Sequence, residues 1–387
     1  MNWIQLFGLF YTFGTNQRLG MKYLLIGVLC LGIASCNSVS EKKKAKDEVA
    51  KVNKNRGEYN LAYRNIKNPD LKSTDLSPRT YSIIDVHEHL QTVEDAKRLL
   101  KAMDKLNITR CCLMASSYYT FTLNDKYGFE RFKENNELLL QSRNSYPDRF
   151  SAFITIDPED KDNLILVKDY VSRGADGIKL YLGHGAGTGK GPFHSMPLDD
   201  PRMLPIYEWA EKTQLPILFH VNLIKYYDEF IQVMDTYPLL KVCIPHFGLH
   251  KNTEKRLSRL ASIFTRYPNV YTDISFGHED FHIEGFETLS KWRTRSKEFV
   301  EKHADRIMFG TDMVLEKTKT IEYIENTLRS YMQWIENKEF CFFYKPDYPM
   351  WGLSLSEESL RKIYQETAKK FLSMDDFGML PDRIVRD

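Results

Sequence analysis

The chain has 387 residues, enough by count alone for two or three domains. It is 42% hydrophobic and 27% charged, with 20 Gly and 15 Pro, which excludes a disordered, collagen-like or multi-span membrane protein. A net charge of +2 makes no electrostatic case for nucleic acid, and six Cys make no disulfide scaffold.

The first segment reads as an address rather than as structure. Met21 and Lys22 precede an apolar run, Leu24 to Ala34, of 11 residues, which fits the core of a signal peptide and is short for a membrane span. The run ends in Ile33-Ala34-Ser35-Cys36, which resembles the bacterial lipobox, in which the Cys is lipidated and becomes the first residue. Residues 1–20 do not look like the start of a signal, so translation is expected to begin at Met21. Residues 36–79 are polar and Lys-rich and hold too few apolar side chains to bury a core. They read as a lipidated Cys36 and a tether. The expected product is an exported bacterial lipoprotein held to the cell-envelope membrane, with residues 80–387 facing the periplasm or the exterior. Without residues 1–35 and the tether the remaining domain carries a net charge of −5, which again argues against nucleic acid.

From residue 80 short apolar runs alternate with longer helical patterns. The runs are 81–89, 110–117, 149–157, 176–183, 215–222, 241–248, 269–275 and 306–313. Each is continuously apolar, as parallel strands buried on both faces require. Helical stripes fall between them at 94–106, 129–146, 162–173, 205–213, 226–237, 254–267 and 286–303, with further long helices at 318–337 and 356–372. Ser356 is the expected N-cap of the last helix. The strand spacing of about 32 residues is one βα unit, and eight such units predict one α/β domain, a (β/α)8 TIM barrel over 80–387. A doubly wound open sheet would want a Gly-rich turn after its first strand, where HEHLQTVED stands instead. Cys111, Cys112, Cys243 and Cys341 fall in the barrel; the first two read as small buried apolar residues, and a Cys243–Cys341 bridge stays open.

Nine of the ten His fall at or after strand C-termini, where a barrel builds its active site. His87 and His89 end strand 1, His184 and His194 follow strand 4, His220 ends strand 5, His246 and His250 close strand 6, and His278 and His282 follow strand 7. Asp312 ends strand 8 and Lys179 lies in strand 4. His87 and His89, at i and i+2, share a face of the strand, and two convergent imidazoles suit a zinc-type cation. Adding His220, His246 and Asp312 makes the donor set of a catalytic divalent metal with room for water. Zn is the expected ion, one or two per site, with Mn or Fe as alternatives. The long Gly-rich loop 183–202 reads as a cover over the site, its His184 and His194 candidates for substrate contact. The aromatic segment 340–353 either walls the pocket or packs under the helix ring, the second being preferred.

The motifs IDVHEH at strand 1, GIKLY at strand 4, ILFHVN at strand 5, IPHFG at strand 6, IMFGTD at strand 8 and the ending LSLSEESLRKIYQETAKKFL appear in one order over roughly 80–375. In that order the chain resembles the amidohydrolase superfamily, and within it the amidohydrolase-related branch that includes decarboxylases of the aminocarboxymuconate-semialdehyde type. The resemblance implies His87, His89, His220 and Asp312 as metal ligands. Asp312 also handles a proton, and His246 either holds a second metal or polarises the substrate. Lys179 lies where some members carry a carboxylated lysine bridging two metals; the alternative is an inward lysine that binds a substrate carboxylate or pairs with an acid. The expected function is hydrolysis of an amide, ester or lactone of a small molecule, by metal-activated water with Asp312 as general base. The alternatives are a metal-dependent decarboxylase or lyase, and a binding lipoprotein with no catalysis.

Overall fold

The computed structural model describes residues 76, 78–115, 131–183, 196–249, 254–276, 279–346, 348–375 and 378–381. The signal segment, Cys36, nearly all of the tether, His184, His194, His250 and His278 lie outside the described residues. No helix among the described residues is long and apolar enough to cross a membrane.

Eight strands fall on the predicted apolar runs, most of them shorter and β2 shifted by two residues, and a ninth follows the last run: β1 (Ile83–Leu90), β2 (Ile108–Ala115), β3 (Phe150–Thr155), β4 (Gly177–Leu180), β5 (Ile217–Phe219), β6 (Val242–Ile244), β7 (Val270–Asp273), β8 (Ile307–Met308) and β9 (Met313–Leu315). All pair in parallel in the order β8-β7-β6-β5-β4-β3-β2-β1-β9. The sheet curls on itself, because one run of chain supplies both of its edges. β8 pairs with β7, β9 pairs with β1, and between them Val86 donates to the Phe309 carbonyl at 3.0 Å and Asp312 donates to that of His87 at 2.7 Å. This is a TIM-barrel-like α/β fold, in which the predicted eighth strand (306–313) is reduced to β8 and a further strand, β9, begins at its last residue and runs beyond it.

Helices wrap the sheet: α1 (Val93–Leu106), α2 (Phe132–Ser145), α3 (Asn163–Ser172), α4 (Leu204–Thr213), α5 (Tyr227–Thr236), α6 (Glu254–Arg266), α7 (Glu279–Lys291), α8 (Arg293–Lys302), α9 (Ile321–Glu336), α10 (Glu357–Arg361) and α11 (Thr367–Leu372). Thr92 and Asp95 form a capping box that starts α1. Ser356 caps α10 as expected, its hydroxyl accepting the Ser359 amide. The single helix expected over 286–303 is instead α7 and α8, meeting at Trp292. The single helix expected over 356–372 carries one wider π-helical turn, Lys362–Glu366. That turn has a use: the Ile363 carbonyl accepts the Phe309 amide at 2.9 Å and ties the last helix to the broken strand.

The barrel is filled from below. Ile84, Val86, Cys112, Met114, Phe153, Leu218, Cys243, Tyr271 and Met308 point inward, and Ala368, Phe371 and Leu372 of α11 plug the same cluster. Cys111, Cys112, Cys243 and Cys341 are all buried free thiols, so Cys243 and Cys341 are unbridged. Phe340 and Phe342 of the aromatic segment are buried, with Phe342 packed on Phe286 and Tyr331 at ring separations of 5.0 Å and 6.0 Å.

Candidate active site

The site begins with a defect in β1. Between Asp85 and Glu88 the strand advances three residues while β2 advances two, from Cys111 to Leu113. Such a bulge reverses the side-chain alternation beyond it. Ile84 and Val86 therefore enter the apolar core, and His87 and His89 also face inward, one layer higher. A simple alternation would place Asp85 with the two His. It turns instead to the outer side of the strand, beside Glu88.

The His87 and His89 rings meet at Nε2, 3.2 Å apart. Both Nε2 atoms face one oxygen of Asp312, at 3.1 Å from His87 and 2.9 Å from His89. The other Asp312 oxygen lies 3.4 Å from His246 Nε2. Lys179 Nζ, fully buried on β4, reaches His87 Nε2 at 2.9 Å. Five residues read from different parts of the sequence thus converge on one point. His220 sits at the end of β5, its ring 4.9 Å edge-on from that of His246 and 6.4 Å from that of Tyr181. His282 is buried elsewhere, stacked on Phe342 at 5.0 Å with Tyr344 beside it.

Two of these groups sit on unusual backbone. His246 (φ 58°) opens a left-handed turn that continues through Phe247 and Gly248, and Asp312 has φ 56°. Non-glycine residues in this region cost about 1 kcal/mol or more each, so the surroundings must hold them. Asp273, at the end of β7, does so for His246 by accepting its backbone N–H at 2.9 Å, and the His87 carbonyl does so for Asp312. Gly310 lets the chain between β8 and β9 lie close: a Cβ there would stand 3.2 Å from that of His87 and 3.3 Å from that of Asp273.

The protons on the rings follow from their partners. His89 Nδ1 faces the Ala115 carbonyl at 2.6 Å, which can only accept, so Nδ1 carries the proton. His87 Nδ1 donates to Asp273 Oδ2 at 2.8 Å. The Ser275 hydroxyl donates to Asp273 Oδ1 at 2.5 Å, which leaves its oxygen to accept from His246 Nδ1 at 2.6 Å. All three imidazoles therefore present an Nε2 lone pair to the Asp312 carboxylate. These acceptor groups facing one another need positive charge among them, which the Lys179 ammonium beside His87 supplies in part and a divalent cation would complete. His87, His246 and Asp312 place donor atoms within 4.8 Å of one another. These residues fit a divalent metal, and Asp273, Ala115 and Ser275 are the partners that orient them.

The acidities reflect the same crowding of acceptors, which draws a proton toward His87. Burial acts against charge on Asp312 and Asp273, yet the neighbouring imidazoles hold both carboxyls well below the usual carboxylate range. Burial lowers His89, whereas for His87 the charges of Asp312 and Asp273 outweigh burial and raise it. Burial brings Lys179 down to about 8. On the outer side of β1, burial pushes Asp85 up to about 7, and burial together with the neighbouring Asp85 carboxyl pushes Glu88 well above the usual carboxylate range.

Asp273, Ser275, Glu88 and Thr311 were not singled out among the candidate residues. A carboxylate inside the apolar run NVYTDIS, followed by Ile274 and Ser275, is the available signal for Asp273. Nothing in the local pattern marks the other three.

No curated protein matches the chain in sequence. Among solved structures, a probable 2-pyrone-4,6-dicarboxylic acid hydrolase from Acinetobacter baumannii with citric acid bound is 13% identical, covers 76% of this chain and 100% of its own, and superposes with a TM-score of 0.51. A 2,6-dihydroxybenzoate decarboxylase from Rhizobium is 17% identical over 76% of this chain and 99% of its own (TM-score 0.46). A 5-carboxyvanillate decarboxylase from Novosphingobium aromaticivorans complexed with manganese is 16% identical over 78% and 99% (TM-score 0.48). The first of these shows a likeness of fold alone. The family model described as Amidohydrolase matches residues 84–374, from the start of β1 to just beyond α11, so the chain belongs to the amidohydrolase family.

Proposed function

We propose that the chain is a metal-dependent hydrolase that cleaves an amide, ester or lactone bond of a small molecule. The observation that carries this reading is the convergence of the His87, His89 and His246 lone pairs on the Asp312 carboxylate, with every Nδ1 proton spoken for. His87, His89 and Asp312 would hold the ion, with His246 at the other carboxylate oxygen and His220 beside it. Zn is proposed from the imidazole-rich set, one or two per site, with Mn the nearest alternative. A divalent ion there would make a water acidic enough to react at neutral pH and draw charge from a carbonyl oxygen.

The chain's own residues do the rest. Asp312, kept ionised by its imidazole neighbours, takes the proton of the attacking water and returns it to the leaving group. His246, held by Ser275 and Asp273, stands on the far side of Asp312 to receive or orient the reacting group. The dry walls around these groups strengthen each interaction. Lys179 faces the same point and either bridges metals as a carboxylated lysine or contacts substrate. His184 and His194 are proposed as further substrate contacts. Upstream, Cys36 is proposed as a lipid anchor that holds the exported enzyme to the cell envelope.

Metal analysis of the purified protein tests the site; less than stoichiometric divalent ion in wild type would end the enzyme reading. Reaction in heavy-oxygen water tests the chemistry, with label in one product expected. Release of carbon dioxide without label would make the chain a decarboxylase. The mass of the N-terminal peptide of membrane-extracted protein tests the anchor at Cys36.

A further inference from the structure

Glu88 lies between the two strand-1 histidines and takes no part in the site as described. It is fully buried on the outer side of β1, where its carboxyl receives the Thr311 hydroxyl and lies against Asp85. A buried acid is costly, and an apolar residue would serve ordinary packing between strand and helix better. Its position suggests another purpose. Thr311 directly precedes Asp312, whose backbone is left-handed and whose carboxylate must meet His87 and His89. On the inner side the two segments meet through those side chains; on the outer side they meet through Glu88 and Thr311. The backbone bond from Asp312 to the His87 carbonyl lies between, and Asp85 Oδ1 fastens the same stretch by accepting the His87 amide at 2.9 Å. Beyond this point β9 continues in register with Glu88, His89 and Leu90.

We infer that the Glu88–Thr311 hydrogen bond is a latch that positions Asp312 against His87 and His89, making both residues positioning residues for the metal site. The inference rests on the proposed metal-dependent function. The bond joins the two segments on the outer side of the gap where β8 ends, beside the backbone bond from Asp312 to His87 and just before β9 takes up its register with Glu88. Without it Asp312 can relax from its left-handed conformation, and its oxygen leaves the point on which the imidazoles converge. Outer partners of metal ligands act in this way and are worth roughly 10- to 100-fold in metal affinity.

Thr311→Val keeps shape and removes the hydroxyl. Competition with a chelator for Zn2+ and Mn2+ should show affinity lowered about 10- to 100-fold, while Thr311→Ser and Glu88→Gln, which keep the bond, stay near wild type. The visible spectrum of the Co2+-loaded protein should change in Thr311→Val and return in Thr311→Ser. An orphaned Glu88 could unfold the single variant, so a double variant, Thr311→Val with Glu88→Met, removes both partners. Such paired removal is often nearly neutral for folding. Its metal-free thermal midpoint should stay close to that of wild type while metal affinity falls as in the single variant. Wild-type affinity in the double variant, or equal losses in Thr311→Val and Thr311→Ser, would overturn the latch and leave the metal site standing. Failure of the wild-type protein to bind any of these ions would overturn the proposed function itself.

Discussion

The two ends of the barrel are made by the same strands and obey opposite rules. At the lower end Ile84, Val86, Phe153 and Met308 meet Phe371 in an apolar plug. At the upper end, within a few residues along the chain, imidazoles and carboxylates crowd together. The backbone there bulges in β1, turns left-handed at His246 and Asp312, and breaks between β8 and β9. The lower end holds the barrel together. The upper end spends that stability on a geometry which regular strands cannot supply.

If that division is right, changes at the two ends have separable effects. The largest is expected from Asp312→Asn, which removes the charge on which the three lone pairs converge. Metal content should fall from stoichiometric to background by elemental analysis, with affinity lost by more than about a hundredfold, beyond the range of outer-partner changes. Phe371→Ala, at the lower end, should cost about 3–5 kcal/mol in urea unfolding. The metal affinity of the folded fraction should remain that of wild type, and a matching loss of metal would break the comparison. Asp273→Asn should lower metal affinity roughly 10- to 100-fold, because one carboxylate orients His87, His246 and Ser275 together. The smallest effect lies outside the barrel, at the start of α10, where Glu301 accepts from the Ser356 amide and hydroxyl. Ser356→Ala should cost about 1 kcal/mol by denaturant titration. Burial works against the Glu301 charge, but hydrogen bonds from the Ser359 hydroxyl and from the Ser356 amide and hydroxyl outweigh it and hold its carboxyl below the usual value. Its contribution is therefore fully present above the pKa of the unfolded chain and lost as pH falls through the lower folded value. The stability gap between wild type and Glu301→Gln should shrink on acidification, and no change with pH would remove Glu301 from this account.

The strand runs and helical stripes were legible because burial on both faces of a parallel sheet, and on one stripe of each helix, writes itself into composition. The pairing of His87 with His89 and the arrival of Asp312 were legible too, because strand ends can be read from apolar runs. The break in strand eight was not, since IMFGTDM carries no Pro and a single Gly whose role depends on what lies 3.2 Å away. Nor was the division of 286–303 at Trp292, or the π-turn at Lys362–Glu366, which answers a backbone donor on another element.

By itself the amino-acid sequence determined where most strands and helices lie, and that a histidine-rich set gathers at one end of a barrel in a family-like order. The tertiary structure decided how that set is armed. It turned Asp85 away from the histidines and toward Glu88, put Asp273 and Ser275 behind two imidazoles, and assigned each ring its proton. The physical reason is that periodicity records local burial. A bulge, a left-handed residue or a hydrogen bond between residues 186 apart, as from His87 to Asp273, is set by what other strands bring alongside.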